Sequence, residues 1–284
     1  MRQSLLTSKV VVSIPINLHS RQEIASALFD KYGTSYLFMG RVFQATKINQ
    51  SCVIDIRNWA PPTAKGNYPQ GLHSTGCTLH DWAPPTARGD RALRSGFANR
   101  SNDAEIDSSA QIYLGSLEKT NNHQKVVLLS SCESGYDTCL KIAKFTRVFL
   151  DIGGIATTVE SAGITHEKQK WLANYNSKDV FDIYSLFVAL VEGDDNYHSC
   201  GMHNFGKADV SIDITEEVAL AIYVMNVFNY YRLTESPILQ EGHTFQPDIE
   251  CPTYQIKWTE YDQYEADSLL YNSYGKWHLS RRGN

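Results

Sequence analysis

The sequence predicts an α/β protein, with α+β as the alternative class, built on a mixed and partly parallel sheet flanked by helices. Three observations predict it. Short β-branched apolar runs such as VVVSIPI and KVVLLSS read as buried strands. Between such runs lie stretches with apolar residues three and four apart, the spacing of helices laid on a sheet. The composition is that of a globular protein, with 284 residues, 42% hydrophobic, 20% charged and a formal net charge of −5.

The elements follow in order. Residues 10–16 read as a buried strand. The N-terminal apolar run that includes it is interrupted by Ser4, Thr7, Ser8 and Lys9 and stops at Pro15, too broken for a secretory leader. A helix then opens with Ser20 as N-cap and Glu23 as its capping-box partner, carries Ile24, Leu28 and Phe29, and ends near Gly33. Residues 35–39 and 51–57 are expected as strands.

NWAPPTAKG at residues 58–66 then recurs as DWAPPTARG at 81–89. Two copies are too few for a solenoid, and paired prolines remove backbone donors and favour extended, solvated chain. Residues 58–95 are therefore expected as a poorly ordered, proline-rich insertion in a single domain spanning 1–284.

Beyond it, residues 104–113 suit a helix and 125–131 a strand. Residues 136–150 read as a helix with Cys139, Ile142, Ala143, Thr146 and Phe149 on one face. Gly153 and Gly154 stop it, and 155–160 resumes as a strand, so a βαβ crossover with two parallel strands is expected. A short helix at 167–173, a strand at 183–191 and a strand at 208–212 come next. Thr215 is expected to cap a helix whose stretch 218–231 is apolar nearly all round, so it should be covered on more than one side. That charge-free stretch has 14 residues, and a bilayer needs about 20. An extended segment at 253–261 and an aromatic tail at 271–279 complete the chain.

Six cysteines without paired spacing read as free thiols, mostly buried, in a reducing compartment. A cytoplasmic protein is expected, without membrane association. Mild acidity argues against nucleic acid as a partner.

Chemistry concentrates in the loop DDNYHSCGMHNFG, which holds Asp194, Asp195, His198, Cys200 and His203. Cys200 and His203 are three apart, a spacing that lets both reach one ion. Zinc is the metal such donors would suit. His166 and His243 are the other metal candidates. Glu160 joins those four as a catalytic candidate, with Glu160 or Glu241 as general base for a metal-bound water. Were 125–131, 155–160 and 183–191 parallel neighbours, the loops SSCESG, VESAGITH and YHSCGMH would gather along one sheet edge, where open α/β sheets bind ligands. No G-x-S-x-G elbow or phosphate-binding glycine loop is present.

The segments VESAGITHEKQKW, YHSCGMHNFGKADVSI, LTESPILQEGHTF and YGKWHL resemble bacterial proteins carrying domain of unknown function 4261, most closely over residues 183–248. The resemblance implies a bacterial, cytosolic protein and transfers no catalytic residue. It adds Asp209 and Gly242 to the positions of interest and sets 58–95 apart as an insertion. The function expected is non-enzymatic binding or regulation, of an immunity or accessory type, with another bacterial protein as partner. The alternative is a metal-dependent hydrolase or metal-binding protein. A third reading makes Cys200 a reactive thiol, which would need a base close enough to lower its pKa.

Overall fold

The computed structural model describes residues 10–32, 36–39, 42–45, 53–58, 91–93 and 125–282. The repeated WAPPTA segments and the helix expected at 104–113 lie outside them.

The chain is α/β, as the sequence predicts. Strand β1 (Val10–Ile16) is buried along its whole length, so it shows no alternation and sits centrally. It leads into α1 (Arg21–Tyr32) through the expected capping box. The Glu23 amide donates to Ser20 Oγ at 3.1 Å, and the Glu23 carboxylate accepts from the His19 amide at 2.9 Å. Strands β2 (Tyr36–Met39) and β3 (Val42–Ala45) pair with each other as a separate hairpin. After β4 (Val53–Asn58) and β5 (Arg91–Leu93), β6 (Lys125–Ser131) pairs antiparallel with β1 along all seven residues.

Helix α2 (Tyr136–Asp151) packs on β1 and β6 and buries the face read from its spacing: Cys139, Ile142, Ala143, Thr146 and Phe149. Strands β7 (Ala156–Val159) and β8 (Ile164–Glu167) complete an antiparallel sheet ordered β4-β6-β1-β7-β8. The expected βαβ crossover is therefore corrected in one respect. β6 and β7 run the same way, but β1 lies between them and pairs antiparallel with both.

A second correction concerns 183–191, expected as a strand. After α3 (Lys168–Asn174), helix α4 (Val180–Phe187) takes the first half and only β9 (Ala189–Glu192) is extended. The N-cap is Asp179, whose carboxylate accepts from the Phe181 amide at 2.8 Å. An apolar run of this length fits a buried helix as well as a strand, and the cap decides.

Strand β10 (Asn196–Cys200), a 3-10 turn (Met202–Phe205) and β11 (Asp209–Asp213) follow, then α5 (Val218–Thr234). The cap of α5 is Glu217 rather than Thr215; its carboxylate accepts from the Ala219 and Leu220 amides at 3.1 and 3.0 Å. A carboxylate there also meets the positive end of the helix dipole. Ala221, Val224, Met225 and Phe228 of α5 pack on the sheet, and the Asn226 and Asn229 amides bond Tyr184 of α4. Coverage on two sides is as expected, while Val218, Tyr230 and Tyr231 stay partly open on the third.

Strands β12 (Thr244–Phe245), β13 (Tyr254–Thr259) and β14 (Lys276–Arg281) finish a sheet ordered β12-β13-β14-β11-β10-β9-β5. It is mixed, with β11 and β14 parallel. Its edge strand β5 uses residues 91–93, so the stretch expected as a loop contributes three residues to the sheet. One face packs on α5; the other meets residues 261–272. No helix among the described residues is long and apolar enough to cross a membrane.

Candidate functional site

The five candidate residues fall into different surroundings. His166 on β8 is buried, and its Nε2–H donates to the Leu186 carbonyl at 2.9 Å. Burial, helped by Lys170, pulls its pKa down to about 3, so the ring is neutral near pH 7. The Glu160 carboxyl accepts from the Ser13 hydroxyl, and burial raises its pKa. Cys200 ends β10 inside an apolar cluster with Ala189 and Val191. His203 is buried in the 3-10 turn. His243 is exposed in the turn before β12, where its carbonyl accepts from the Ile256 amide at 2.8 Å. Among the described residues, no group of three or more His, Cys, Asp or Glu is arranged to hold a metal ion.

The gathering of loops expected from parallel strands does occur, by another route. Residues 183–187 are helical and β6 and β7 are not neighbours, so no parallel edge forms. Instead the 3-10 turn acts as the meeting point. The Asn204 carbonyl accepts from the Gly135 amide at 2.8 Å, and the Asn204 side chain donates to the Phe187 carbonyl at 2.9 Å. Gly201, at φ 119°, passes so close that a Cβ would lie 2.3 Å from the Phe187 carbonyl and 2.8 Å from Ala162 Cβ. SSCESG, VESAG and CGMHNFG are thus packed together, but as main chain and buried side chains rather than as an open rim.

Around that meeting point runs a buried polar network. Asp209 is wholly buried. One carboxylate oxygen accepts from Ser199 Oγ at 2.9 Å and the Met202 amide at 3.1 Å, and the other from Asn272 Nδ2 at 2.6 Å. Burial still lifts its pKa to about 6 against those hydrogen bonds. Arg232 of α5 donates to the Ala208 carbonyl at 2.8 Å and to the Asn229 side chain, and Asn229 in turn donates to Tyr184 at 3.1 Å. The links run between α4, α5, β10, the 3-10 turn, β11 with the residue before it, and the 272 turn, so the network locks these parts together. Asp209 stands in the KADV segment singled out above. Asn272, Arg232 and Tyr184 carried no sequence signal, because the partners that tie them to other elements are distant in the chain.

The face of the seven-stranded sheet turned away from α5 carries a second polar set. Pairing places His198, Ser211, His278 and Lys257 in one row across β10, β11, β14 and β13. Ser211 Oγ lies 3.1 Å from His278 Nδ1, and His278 Nε2 lies 3.5 Å from the Asp213 carboxylate. These are the residue types of a hydrolytic triad, but Ser211 has 0% exposure and cannot reach a substrate.

Against this face lies a cleft of about 470 Å³, lined by residues that include Tyr261, Asp262, Tyr264, Glu265 and Tyr271. The Tyr261 and Tyr264 rings stack at 6.3 Å, and Tyr271 meets Tyr261 edge-on at 5.7 Å. Asp262 holds Lys276 Nζ at 2.7 Å. Behind Tyr264, His198 is 2% exposed, with its ring 6.4 Å from the tyrosine and neither ring nitrogen hydrogen-bonded among the described residues. Burial draws the His198 pKa down to about 4. Alternation along β10 does put His198 on the face of Cys200, but the cleft itself could not be foreseen. Its tyrosines read equally well as core packing.

Comparison of the chain with protein-family models, with curated proteins and with solved structures finds no match in any of the three.

Proposed function

We propose that the chain is a binding or regulatory protein without catalytic chemistry of its own, acting on another bacterial protein in an immunity-type or accessory role. Its resemblance to proteins carrying domain of unknown function 4261 belongs to the same proposal. One contrast carries the reading. Three groups that could do chemistry (His166, Asp209 and Ser211) are buried, Glu160 is half-buried, and all four are hydrogen-bonded within the fold, whereas the concave surface open to a ligand offers tyrosines and carboxylates. Tyrosines give large, rigid contact area at low entropic cost, which suits recognition more than turnover.

The test is affinity capture from bacterial lysate with the full chain as bait, followed by reconstitution with the purified candidate. A single partner that binds stoichiometrically in both steps is the expected result. Repeated recovery of the bait alone, or turnover of a substrate that depends on His166 or Cys200, would overturn the reading.

A further inference from the structure

We propose that the cleft lined by residues 261–271 is the docking site for this chain's own second proline-rich copy, Trp82–Arg88, bound within the same molecule. The proposal goes beyond the binding reading and does not depend on it.

The repeat has a spacing that suits such a groove. Both copies read W-A-P-P-T-A followed by a cation, Lys65 in the first and Arg88 in the second. Paired prolines favour the polyproline helix, which turns once in three residues. Trp82, Pro85 and Arg88 stand three apart, as do Trp59, Pro62 and Lys65. An aromatic ring, a proline ring and a cation therefore fall along one ridge of that helix. Because the prolines set the conformation in advance, little entropy is lost when the ridge docks.

The cleft is complementary to that ridge. Tyr264 and Tyr271 are half-buried in its lining, each in ring contact with the buried Tyr261. Aromatic-lined grooves are the surfaces that polyproline segments dock into. Glu265 is exposed in the same lining and matches the cation that ends the ridge.

The chain's connectivity selects the occupant. Arg91, which opens β5, pairs with Glu192 of β9, and Glu192 pairs on its other side with Tyr197 of β10. The next residue, His198, lies beneath Tyr264 of the cleft wall. Two strand spacings and one residue along the strand put Arg91 about 10 Å from His198. Pro85 precedes Arg91 by six residues, a reach of about 19 Å at the polyproline rise. The second copy therefore spans the gap with length to spare, and so short a tether gives it an effective concentration on the order of millimolar. The first copy instead follows β4, at the edge of the other sheet.

The experiment titrates a capped peptide of residues 81–89 into two forms of the full chain. One is native, and the other carries Pro61→Ala, Pro62→Ala, Pro84→Ala and Pro85→Ala. Binding is followed by NMR on the tyrosine rings. The substituted chain should bind the peptide saturably, with shifts at Tyr264 and Tyr271. The native chain should bind it at least about tenfold more weakly, because its tethered copy competes. A peptide with both prolines replaced by alanine should not bind. Adding Glu265→Gln to the substituted chain should weaken the peptide several-fold and leave the unfolding midpoint unchanged. Equal affinity of the two chains, no binding to the substituted chain, saturation without shifts at Tyr264 and Tyr271, or full affinity of the alanine peptide or of the Glu265→Gln chain would each overturn the proposal. Self-association of the native chain that the proline substitutions abolish would overturn it too, since the segment would then dock on a second copy.

Discussion

Asn272 Nδ2 donates to Asp209 Oδ2 at 2.6 Å across 63 residues of chain, tying the turn before β14 to the start of β11. The same Asn272 side chain donates to the Lys207 carbonyl at 3.0 Å and accepts from the Tyr274 amide at 2.9 Å. One buried amide thus fixes the 272–274 turn against residues 207–209. Asn272→Ala should lower stability by about 2–4 kcal/mol, because it strips the buried Asp209 carboxylate of a partner. Urea unfolding measures this, and a loss below about 0.5 kcal/mol would show that the network is dispensable.

The buried titrating groups oppose one another in their pH dependence. His166 and His198 have folded pKa values of about 3 and about 4, below the ordinary 6.5, so the unfolded chain binds protons more readily between those values. Their contribution is full above about pH 6.5 and is lost as pH falls. Asp209, raised from 3.8 to about 6, works the other way and favours the folded state as pH falls. With His278 also lowered and Glu160 also raised, three histidines oppose two carboxyls, and the histidines prevail. The urea midpoint should therefore be lower at about pH 5 than at about pH 7. A higher midpoint at the acid value would mean that Asp209 dominates.

Two glycines that share a positive φ should respond differently to alanine. At Gly201 the added Cβ would meet the Phe187 carbonyl at 2.3 Å, and backbone would have to move. At Gly135, with φ 131°, nothing lies within 4 Å. Gly201→Ala should cost more than about 3 kcal/mol, while Gly135→Ala should cost about 1–2 kcal/mol from its positive φ alone. Thermal unfolding of the pair gives the comparison directly.

Thiol labelling should follow burial. Cys132 is exposed and should react in the native protein, whereas Cys139 and Cys200 are buried and should react only on unfolding. Burial also pushes the Cys139 thiol well above its ordinary pKa, which removes the nucleophilic thiolate. Rapid native labelling of Cys200 would revive a reactive-thiol role for it.

Metal content tests the alternative function. With no grouping of three His, Cys, Asp or Glu ligands among the described residues, purified chain should hold less than about a tenth of an equivalent of zinc, and chelator should leave its unfolding midpoint unchanged. A full equivalent would favour metal-assisted hydrolysis over binding.

Local physics made much of the scaffold legible. β1 and β6 were readable because seven-residue β-branched runs have little choice but a buried strand. The Ser20–Glu23 cap and the buried face of α2 were readable because their partners lie within four residues or one helical turn. The failures came where two local answers are nearly equal. Residues 183–187 carry a short apolar run that burial alone satisfies as helix or strand, and Thr215 and Glu217 are both competent caps.

The sequence by itself determined the α/β class and those elements whose signals are local, since propensity and hydrophobic period act over a few residues. Only the tertiary structure decided that β1 separates β6 from β7, that Asp209 meets Asn272 and Arg232 of α5, and that His198 lies behind Tyr264. Those outcomes depend on strand order and on the closure of long loops. Their entropic cost varies only slowly with length, so the spacing of residues along the chain leaves the partners undetermined.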